Sequence, residues 1–309
     1  MTILAIGAIL AISLLCPYMA GQQVAPEVLA LARASRLARE TVDTLANCVC
    51  LESVTRSRID TKGKAKQSER DALQIEVTTI GDREWFSWPG RENAFVEDPS
   101  ALVGFGLMNT GQTTSTLKTV FLDGFARRTF HGAVTFRSRP ALQFDYSVSS
   151  VFTHYRLSSL RGSAAAGMKG SFRIDPQSAE LLALSSEATE IPPEFEIRST
   201  STEVVYAPMY LGDRRVVLPQ SATTVVEHSK GTVSVNRVEF SHCRPYSSTS
   251  SIKFAEAPAV ESAAPPAPRQ EQPIPGGLSL SLRLTTPVTA RTAVGERISL
   301  IMEADAQPR

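Results

Sequence analysis

Residues 142–148 read LQFDYSV, with an apolar side chain at every second position. Residues 73–78 read LQIEVT and repeat this alternation. A period of two places one row of apolar side chains on a single face, which is typical of a half-buried β-strand. The period dominates the chain after Asn47, and turn-forming residues such as Asp175 and Pro176 separate the apolar runs. The pattern therefore predicts consecutive antiparallel hairpins rather than a parallel α/β sheet.

The other strand candidates share this alternation or form a short apolar run between turns. They are residues 49–56, 84–88, 152–158, 170–175, 181–189, 200–207, 214–218, 221–228, 232–241 and 249–254. Within 232–241 the alternation slips by one residue between Val235 and Val238. A β-bulge is expected there, because it would keep both apolar sets on one face.

One long amphipathic helix is predicted at residues 25–46. Pro26 suits a first-turn position, and Glu27 complements the positive end of the helix dipole. Apolar side chains recur at steps of three and four residues, at Val28, Leu31, Ala38, Val42 and Leu45. This stripe is expected to pack on the protein's own sheet; a helix that lies on a membrane surface is the alternative.

Residues 89–124 interrupt the β pattern with several Pro and Gly residues, and they contain a predicted short helix at 114–122. This segment is the expected cover of the sheet. The predicted fold class is mainly β (α+β). It is a curved antiparallel meander or half-barrel, covered by the N-terminal helix and a short second helix and followed by a Pro-rich linker.

The two ends of the chain differ from the predicted β domain, which spans residues 22–254. Residues 1–21 carry no charged side chain, and Ile3 to Leu15 form an apolar run typical of a signal peptide. Cleavage near Ala20 or Gly21 is expected, with an uncleaved membrane anchor as the alternative, so the predicted location is periplasmic or secreted. Residues 255–277 hold six prolines and predict an extended linker. Residues 278–309 form a short β segment that either docks on the main domain or belongs to an incomplete second domain.

Composition and motifs give no sign of several function classes. Thirty-two basic and thirty-one acidic residues leave a net charge of +1, without the basic stripe of a nucleic-acid-binding protein. A polybasic patch for anionic lipid is not evident either. No metalloprotease, serine-hydrolase or P-loop motif occurs in the sequence. We therefore assign no catalytic residue and no cofactor.

Three cysteines remain once the predicted leader is removed: Cys48, Cys50 and Cys243. Export permits a disulfide, and Cys48 and Cys50 are too close in sequence to prefer each other. A bond from one of them to Cys243 is expected. A zinc site that uses these thiols and His242 is the alternative, but neighbouring strand residues point to opposite faces, so no metal site is assigned.

Aromatic residues cluster within a short stretch that contains both tryptophans of the chain. We assign Trp85, Trp88, Phe95 and Phe105 as ligand-binding residues at the mouth of an apolar pocket, because such pockets are largely apolar with few polar groups. The alternative is that this hairpin only contributes to the protein core.

A family resemblance is carried by residues 170–176 (GSFRIDP) and 179–184 (AELLAL). They resemble a hairpin of the periplasmic lipoprotein-carrier (LolA/LolB-like) superfamily, in which a strand that ends in Ile-Asp-Pro turns into the next strand. Further segments, at 45–50, 85–90, 218–221 and 240–244, resemble uncharacterised secreted proteins of soil bacteria. The resemblance covers residues 26–254 and implies a half-barrel wrapped over helices. In that pattern a single cysteine occupies position 50, which favours Cys50 over Cys48 as the partner of Cys243.

The resemblance favours binding over catalysis. The first hypothesis is a non-catalytic envelope protein that holds a lipid, an acyl chain or an apolar polypeptide segment. Its expected partner is a lipid or a lipoprotein acyl chain, with no nucleic acid and no integral membrane span. The second hypothesis is a structural or interaction module of the cell envelope whose cavity is filled by its own side chains. The third is a hydrolase with a dispersed site.

Overall fold

The computed structural model describes most of the chain from residue 24 to residue 246 and short C-terminal stretches. The described residues are 24–60, 68–81, 83–91, 94–104, 106–108, 110–111, 114–159, 162–246, 278–279, 281–289, 291–302 and 307–308. The predicted leader, the candidate strand 249–254, the linker 255–277 and Phe105 lie outside these residues.

Antiparallel strands make up most of the described chain. They are β1 Cys48–Asp60, β2 Ser68–Ile80, β3 Arg83–Ser87, β4 Arg127–Phe136, β5 Arg139–Val148, β6 Arg156–Ser159, β7 Gly162–Ala165, β8 Gly167–Ile174, β9 Leu181–Thr189, β10 Ile197–Leu211, β11 Arg214–His228 and β12 Thr232–Pro245. Four shorter strands follow: β13 Leu278–Ser279, β14 Leu282–Leu284, β15 Leu300–Met302 and β16 Gln307–Pro308.

Ten of these strands form one open sheet in the order β3-β2-β1-β12-β11-β10-β9-β8-β5-β4. Most neighbours are consecutive in the chain, as in a meander. The exception that matters is β1, which pairs with β12 and so joins the first three strands to the last. Strands β6 and β7 form a separate hairpin between β5 and β8. The predicted fold class, mainly β with helices covering an antiparallel sheet, is confirmed.

The long helix, α1, spans Pro26–Leu45, within one residue of the predicted bounds at each end. Its buried residues are Ala30, Ala34, Ala38, Val42 and Leu45. The stripe therefore differs from the predicted one, because Val28 is 53% exposed and alanines occupy the contact face. Small alanine side chains allow the helix backbone to approach the sheet closely. We call the face on which α1 packs the inner face.

The predicted second helix also packs on the inner face. Helix α2, Ser115–Leu117, continues as a π-helical turn at Lys118–Leu122, and Leu117, Val120 and Phe121 are buried. Phe121 contacts Phe172 of β8 with ring centroids 4.6 Å apart. Short 3-10 helices at Pro99–Ala101 and Pro193–Phe195 complete the helical structure of the described chain.

Several strand predictions need correction. The bulge expected between Val235 and Val238 is absent, since β12 keeps regular pairing there with both β1 and β11. The apparent slip arises because the polar Asn236 is buried among apolar neighbours on the inner face. Candidates 214–218 and 221–228 are one strand, β11, with a register shift near Gln220. Strand β4 was not predicted, and the candidate 152–158 becomes a strand only from Arg156 onward.

A disulfide joins Cys50 of β1 to Cys243 of β12, as the resemblance implied. The two Cα atoms are 4.0 Å apart, and 193 residues separate the cysteines in sequence. The pairing of β1 with β12 shifts register at this point, where His242 has a φ of +48°. Cys48 is a buried free thiol. The zinc alternative is wrong for Cys50 and Cys243, because their sulfur atoms are bonded to each other.

The described C-terminal residues contact the main sheet. Strand β3 is short and leaves part of the β2 edge free, and Val294 forms a parallel bridge with Leu73 at this edge. The Gln74 amide donates to the Val294 carbonyl at 2.6 Å, and the Val294 amide donates to the Ala72 carbonyl at 2.9 Å. This contact favours docking over an incomplete second domain, and the role of residues 278–309 stays a prediction.

Gly295, next to this contact, has no room for a side chain. Its φ is +87°, and an added Cβ would lie 2.1 Å from the Gln74 carbonyl oxygen and 2.8 Å from the Trp88 ring. We predict that Gly295→Ala releases the segment and raises hydrogen exchange at the amides of Gln74 and Val294. Gly124→Ala is the control, because Gly124 has a φ of +80° and nothing within 4 Å of its added Cβ. Equal protection at Gln74 in both variants would contradict the docking.

Candidate functional site: a cleft beside helix α1

A cleft of about 90 Å³ lies between α1, α2 and the ends of β9 and β11. Its apolar lining comes from all four elements. These side chains are Leu37, Ala38, Leu117, Leu181, Val216 and Val217. Polar and charged side chains also line it, namely Glu40, Thr41, Thr44, Glu180, Arg214 and Arg215. The arrangement combines an apolar interior with ionisable groups, as expected of a small-ligand site.

The cleft exists because neighbouring strands end at different heights. Strand β9 pairs only with residues 201–205 of β10, whereas β10 and β11 remain paired out to Leu211 and Arg214. The β10–β11 hairpin therefore projects beyond β9, and α1 crosses the projecting part. The Thr41 hydroxyl donates to the Val217 carbonyl at 3.1 Å and fixes the helix to the hairpin.

The two arginines of the hairpin have different environments. Arg215 donates two hydrogen bonds to Glu180, at 2.5 and 3.0 Å. These hydrogen bonds hold the pKa of Glu180 below its usual value, although partial burial opposes the shift. No carboxylate of the described residues lies within the 4.0 Å of an ion pair to Arg214, whose side chain is exposed. Arg214 is therefore the cation of the cleft that is available to an anionic group.

A narrower cavity lies at the C-terminal end of α1, next to the disulfide. Its lining includes Leu45, Cys48, Cys50, Leu218 and Phe240. Burial raises the pKa of the Cys48 thiol, and the positive charge of Arg214 opposes this shift only in part. The thiol therefore stays protonated and unreactive at neutral pH.

Several polar side chains are buried on the inner face of the sheet, on β1, β2, β3 and β12. We call this group the polar island; it consists of Glu52, Arg56, Asp71, Glu84 and Asn236. All except Asp71 are buried. Arg56 binds Asp71 through two contacts, one of them from Nε to Oδ1 at 2.8 Å. A charge buried in this way needs a partner, and this ion pair supplies one.

The polar island holds the backbone of the covering segment, residues 94–111. The Gly111 amide donates to Glu84 at 2.5 Å, and the Asn236 side-chain amide donates to the Leu107 carbonyl at 3.4 Å. Gly106 packs so closely that an added Cβ would lie 2.7 Å from the Arg56 guanidinium. A buried loop must satisfy its backbone polar groups, which explains the polar side chains beneath it.

Glu52 has a different environment from the rest of the polar island. No described residue donates a hydrogen bond to its carboxyl group, and its exposure is 5%. Burial raises the pKa of Glu52 well above its usual value, and the negative charge of Glu84 raises it further. Burial likewise raises the pKa of Tyr206, whose buried hydroxyl has no hydrogen-bond partner among the described residues.

The aromatic residues predicted to bind a ligand do not come together. Trp88 packs against the core on the inner face, whereas Trp85 lies on the opposite face of β3 from the buried Phe86. Phe95 is half-buried and contacts the Tyr246 ring edge-on, with centroids 6.5 Å apart. None of these three lines the cleft. Their role in binding stays a prediction, as does that of Phe105.

Histidine contacts in the described chain offer little for hydrolysis. His131 contacts Asp145 at 3.0 Å, but both side chains are about half exposed on the β4–β5 hairpin. His228 contacts the Ser234 hydroxyl at 3.3 Å, and burial together with Arg58 lowers its pKa. Neither histidine contacts both a carboxylate and a hydroxyl in the described structure, so these pairs do not form a triad.

The comparisons with known proteins leave the family open. No family model and no curated protein matches the chain. No helix within the described residues combines the length and apolar composition needed to span a bilayer.

Several solved structures are similar at low identity. A DUF1329 family protein from Desulfovibrio piger matches at 9% identity and a TM-score of 0.39, over 73% of this chain and 95% of that chain. A putative outer membrane lipoprotein-sorting protein domain from Vibrio parahaemolyticus matches at 8% identity and a TM-score of 0.36, over 71% and 95%. A LolA superfamily protein from Nitrosomonas europaea matches at 10% identity and a TM-score of 0.32, over 72% and 94%.

These matches include the superfamily that the sequence resembles. With TM-scores below 0.5, the matches say nothing about what this chain binds.

The raised pKa of Glu52 makes stability depend on pH. Between the usual pKa of about 4.5 and the raised folded-state value, the folded state binds more protons than the unfolded state. The contribution of Glu52 is therefore fully present below the unfolded pKa and is lost as pH rises through the folded pKa.

We predict that Glu52→Gln removes this loss, since the amide stays neutral at every pH. Within the titration window, the free energy of unfolding of the unmodified protein should fall by up to about 1.4 kcal/mol per pH unit relative to the variant. Urea unfolding at a series of pH values measures the difference. The control is Glu239→Gln, at an exposed position of β12. If Glu52→Gln and Glu239→Gln show the same pH profile, Glu52 titrates normally.

Proposed function

We propose that this is an exported, non-catalytic envelope protein that binds one acyl chain of an amphiphile in the cleft beside α1. The observation that carries the proposal is the cleft itself, with an apolar lining from four elements. Its volume of about 90 Å³ is below the range of roughly 300–1,000 Å³ found for small-molecule sites, so the cleft would hold only part of an acyl chain. Export is proposed from the apolar run at residues 3–15.

The lining of the cleft favours an acyl chain over a polypeptide strand. An extended peptide would need free backbone donors and acceptors along a strand edge. The Val217 carbonyl already accepts from Thr41, and the apolar lining presents side chains instead. An acyl chain needs only apolar contacts, which the side chains of Leu37, Leu181 and Val217 supply.

The charged groups of the cleft favour an anionic head group. Glu180 is neutralised by Arg215, while Arg214 has no such partner among the described carboxylates. A carboxylate or phosphate at the end of the acyl chain would find a guanidinium there, and charge-assisted hydrogen bonds to arginine are strong. Glu40 on α1 would disfavour the same group and limits how far it can approach the helix.

A structural module of the envelope is the second candidate function. It is supported by the inner face beneath the covering segment, where the protein's own side chains fill the space. Ile75 of β2 and Phe86 of β3 are fully buried, and Val103 of the covering segment packs in the same core. A ligand bound under that segment would have to displace this core. Native mass spectrometry that finds no lipid on the purified protein would favour this candidate.

A cleft-filling substitution tests the acyl-chain site. We predict that Leu37→Trp weakens binding of a fluorescent fatty acid at least tenfold, because the larger side chain occupies the apolar space. The matched control is Leu29→Trp, the same change on the same helix at a position that is 48% exposed and outside the cleft. Titration gives the dissociation constants, and urea unfolding shows whether each variant is folded. Equal binding by Leu37→Trp and Leu29→Trp would place the ligand elsewhere, and no binding by the unmodified protein would favour the structural module.

A second test addresses the head group. We predict that Arg214→Ala weakens binding of a fatty acid but leaves binding of the fatty alcohol of equal chain length unchanged. The expected difference is about fivefold to tenfold, the size of one exposed charge-assisted contact. Competition against the fluorescent probe measures both ligands. Equal losses for acid and alcohol would mean that Arg214 contributes packing rather than charge.

A further inference from the structure

Two exposed aromatic rings stack on each other at one end of the sheet. Phe125 and Phe152 have ring centroids 4.6 Å apart and an interplanar angle of 8°. Their exposed fractions are 57% and 49%, and the neighbouring Val151 is 80% exposed. We call these three residues the aromatic tip. Large apolar side chains scattered singly on a surface need no explanation, but a contiguous group of them marks an interaction site.

The aromatic tip lies at one end of the β4–β5 hairpin. Phe125 comes just before β4 and Phe152 comes just after β5, and Arg127 at the start of β4 pairs with Ser147 near the end of β5. Two chain connections thus meet at the same end of the hairpin. The Phe152 amide donates to the Ser149 carbonyl at 3.0 Å, which closes a turn. His154 contacts Asp123 at 3.8 Å and links the two connections.

The charges around the aromatic tip are mostly basic. Arg127, Arg128 and Arg156 lie within four residues of the stacked rings. Two carboxylates lie nearby: Asp123 is 3.8 Å from the His154 ring, and Glu190 accepts a hydrogen bond from the uncharged Ser150 hydroxyl, so the three arginines outnumber them by one. Arg127 is exposed, with no carboxylate of the described residues in ion-pair distance. The chain-wide net charge of +1 hides this local excess.

We propose that the aromatic tip inserts into the interfacial region of a bilayer that contains anionic lipid. Aromatic side chains beside basic ones are typical of segments that lie at the boundary between head groups and acyl chains. Phe125, Val151 and Phe152 enter the apolar side of this boundary, and Arg127 remains at the level of the lipid phosphates. This docking is separate from ligand binding in the cleft, because the aromatic tip contributes no residue to the cleft.

Depth-dependent quenching tests the insertion directly. Phe152→Trp and Ile80→Trp each add one tryptophan to the complete chain, which already holds Trp85 and Trp88. The quenching of the unmodified protein is therefore subtracted from both, and any binding by residues 1–21 is common to them. Ile80 is the matched control because it is 48% exposed and lies on β2, near the opposite edge of the ten-stranded sheet. With vesicles of phosphatidylglycerol and brominated phosphatidylcholine, the tryptophan at 152 should be quenched and the one at 80 should not. Equal quenching of the two variants overturns the proposal.

Affinity and charge give the second measurement. Phe125→Ser together with Phe152→Ser should weaken binding to vesicles with phosphatidylglycerol at least tenfold, as expected when two apolar side chains no longer leave water. Arg127→Glu should weaken binding to these vesicles but not to vesicles of phosphatidylcholine alone. Unchanged affinity of the double variant overturns the proposal. So does a dimer in lipid-free buffer that the double variant converts to monomer, because the aromatic tip would then be covered by a second copy of the chain.

Discussion

The pairing of β1 with β12 is the contact on which the rest of the structure depends. It joins the first three strands to the end of a meander that begins at β4, and without it the sheet would divide into two parts. Cys50 and Cys243 crosslink this pair across 193 residues. A crosslink that closes so long a loop restricts the unfolded chain by an amount on the order of 5 kcal/mol in the loop-entropy description. The disulfide therefore stabilises the one contact that no local hairpin would form by itself.

The size of the joined sheet explains why polar side chains are buried on its inner face. Its inner face is too large for α1 and α2 to cover, so residues 94–111 cover the part formed by β1, β2 and β3. A covering loop brings unpaired backbone groups into a region of low polarity, and each would cost free energy if left unsatisfied. Glu84 and Asn236 form hydrogen bonds with those groups. Asp71 forms an ion pair with Arg56 and so balances its buried charge. This arrangement buries the carboxyl groups of Glu52 and Glu84, and Glu52 accepts no hydrogen bond from the part of the chain that the structure describes.

Regular features of the fold were predictable from the sequence because their signals are local. The bounds of α1, the turn at Asp175 and Pro176, and most strands follow from side-chain period and turn chemistry within a few residues. Val28 and Val235 show the limit of this reasoning. Hydrophobicity predicted that Val28 faces the sheet, but close packing selected the smaller Ala30 and Ala34 instead. A slip in the hydrophobic alternation predicted a bulge near Val235, but β12 remains regular, with Val235 on the outer face and the polar Asn236 buried on the inner face.

The cleft was not predictable because none of its causes is local. It arises where β9 ends before β10 and β11, a difference in strand length that appears only when the pairing of three strands is known. Its residues come from α1, α2, β9 and β11, and none of them is unusual within its own segment. The aromatic cluster at residues 85–105 was the stronger sequence signal. Trp85, however, lies on the face of β3 opposite the buried Phe86, whereas Trp88 follows the strand and packs against the core. An apolar cluster in sequence becomes a pocket only if the fold turns its members toward one space, and here strand alternation separates them.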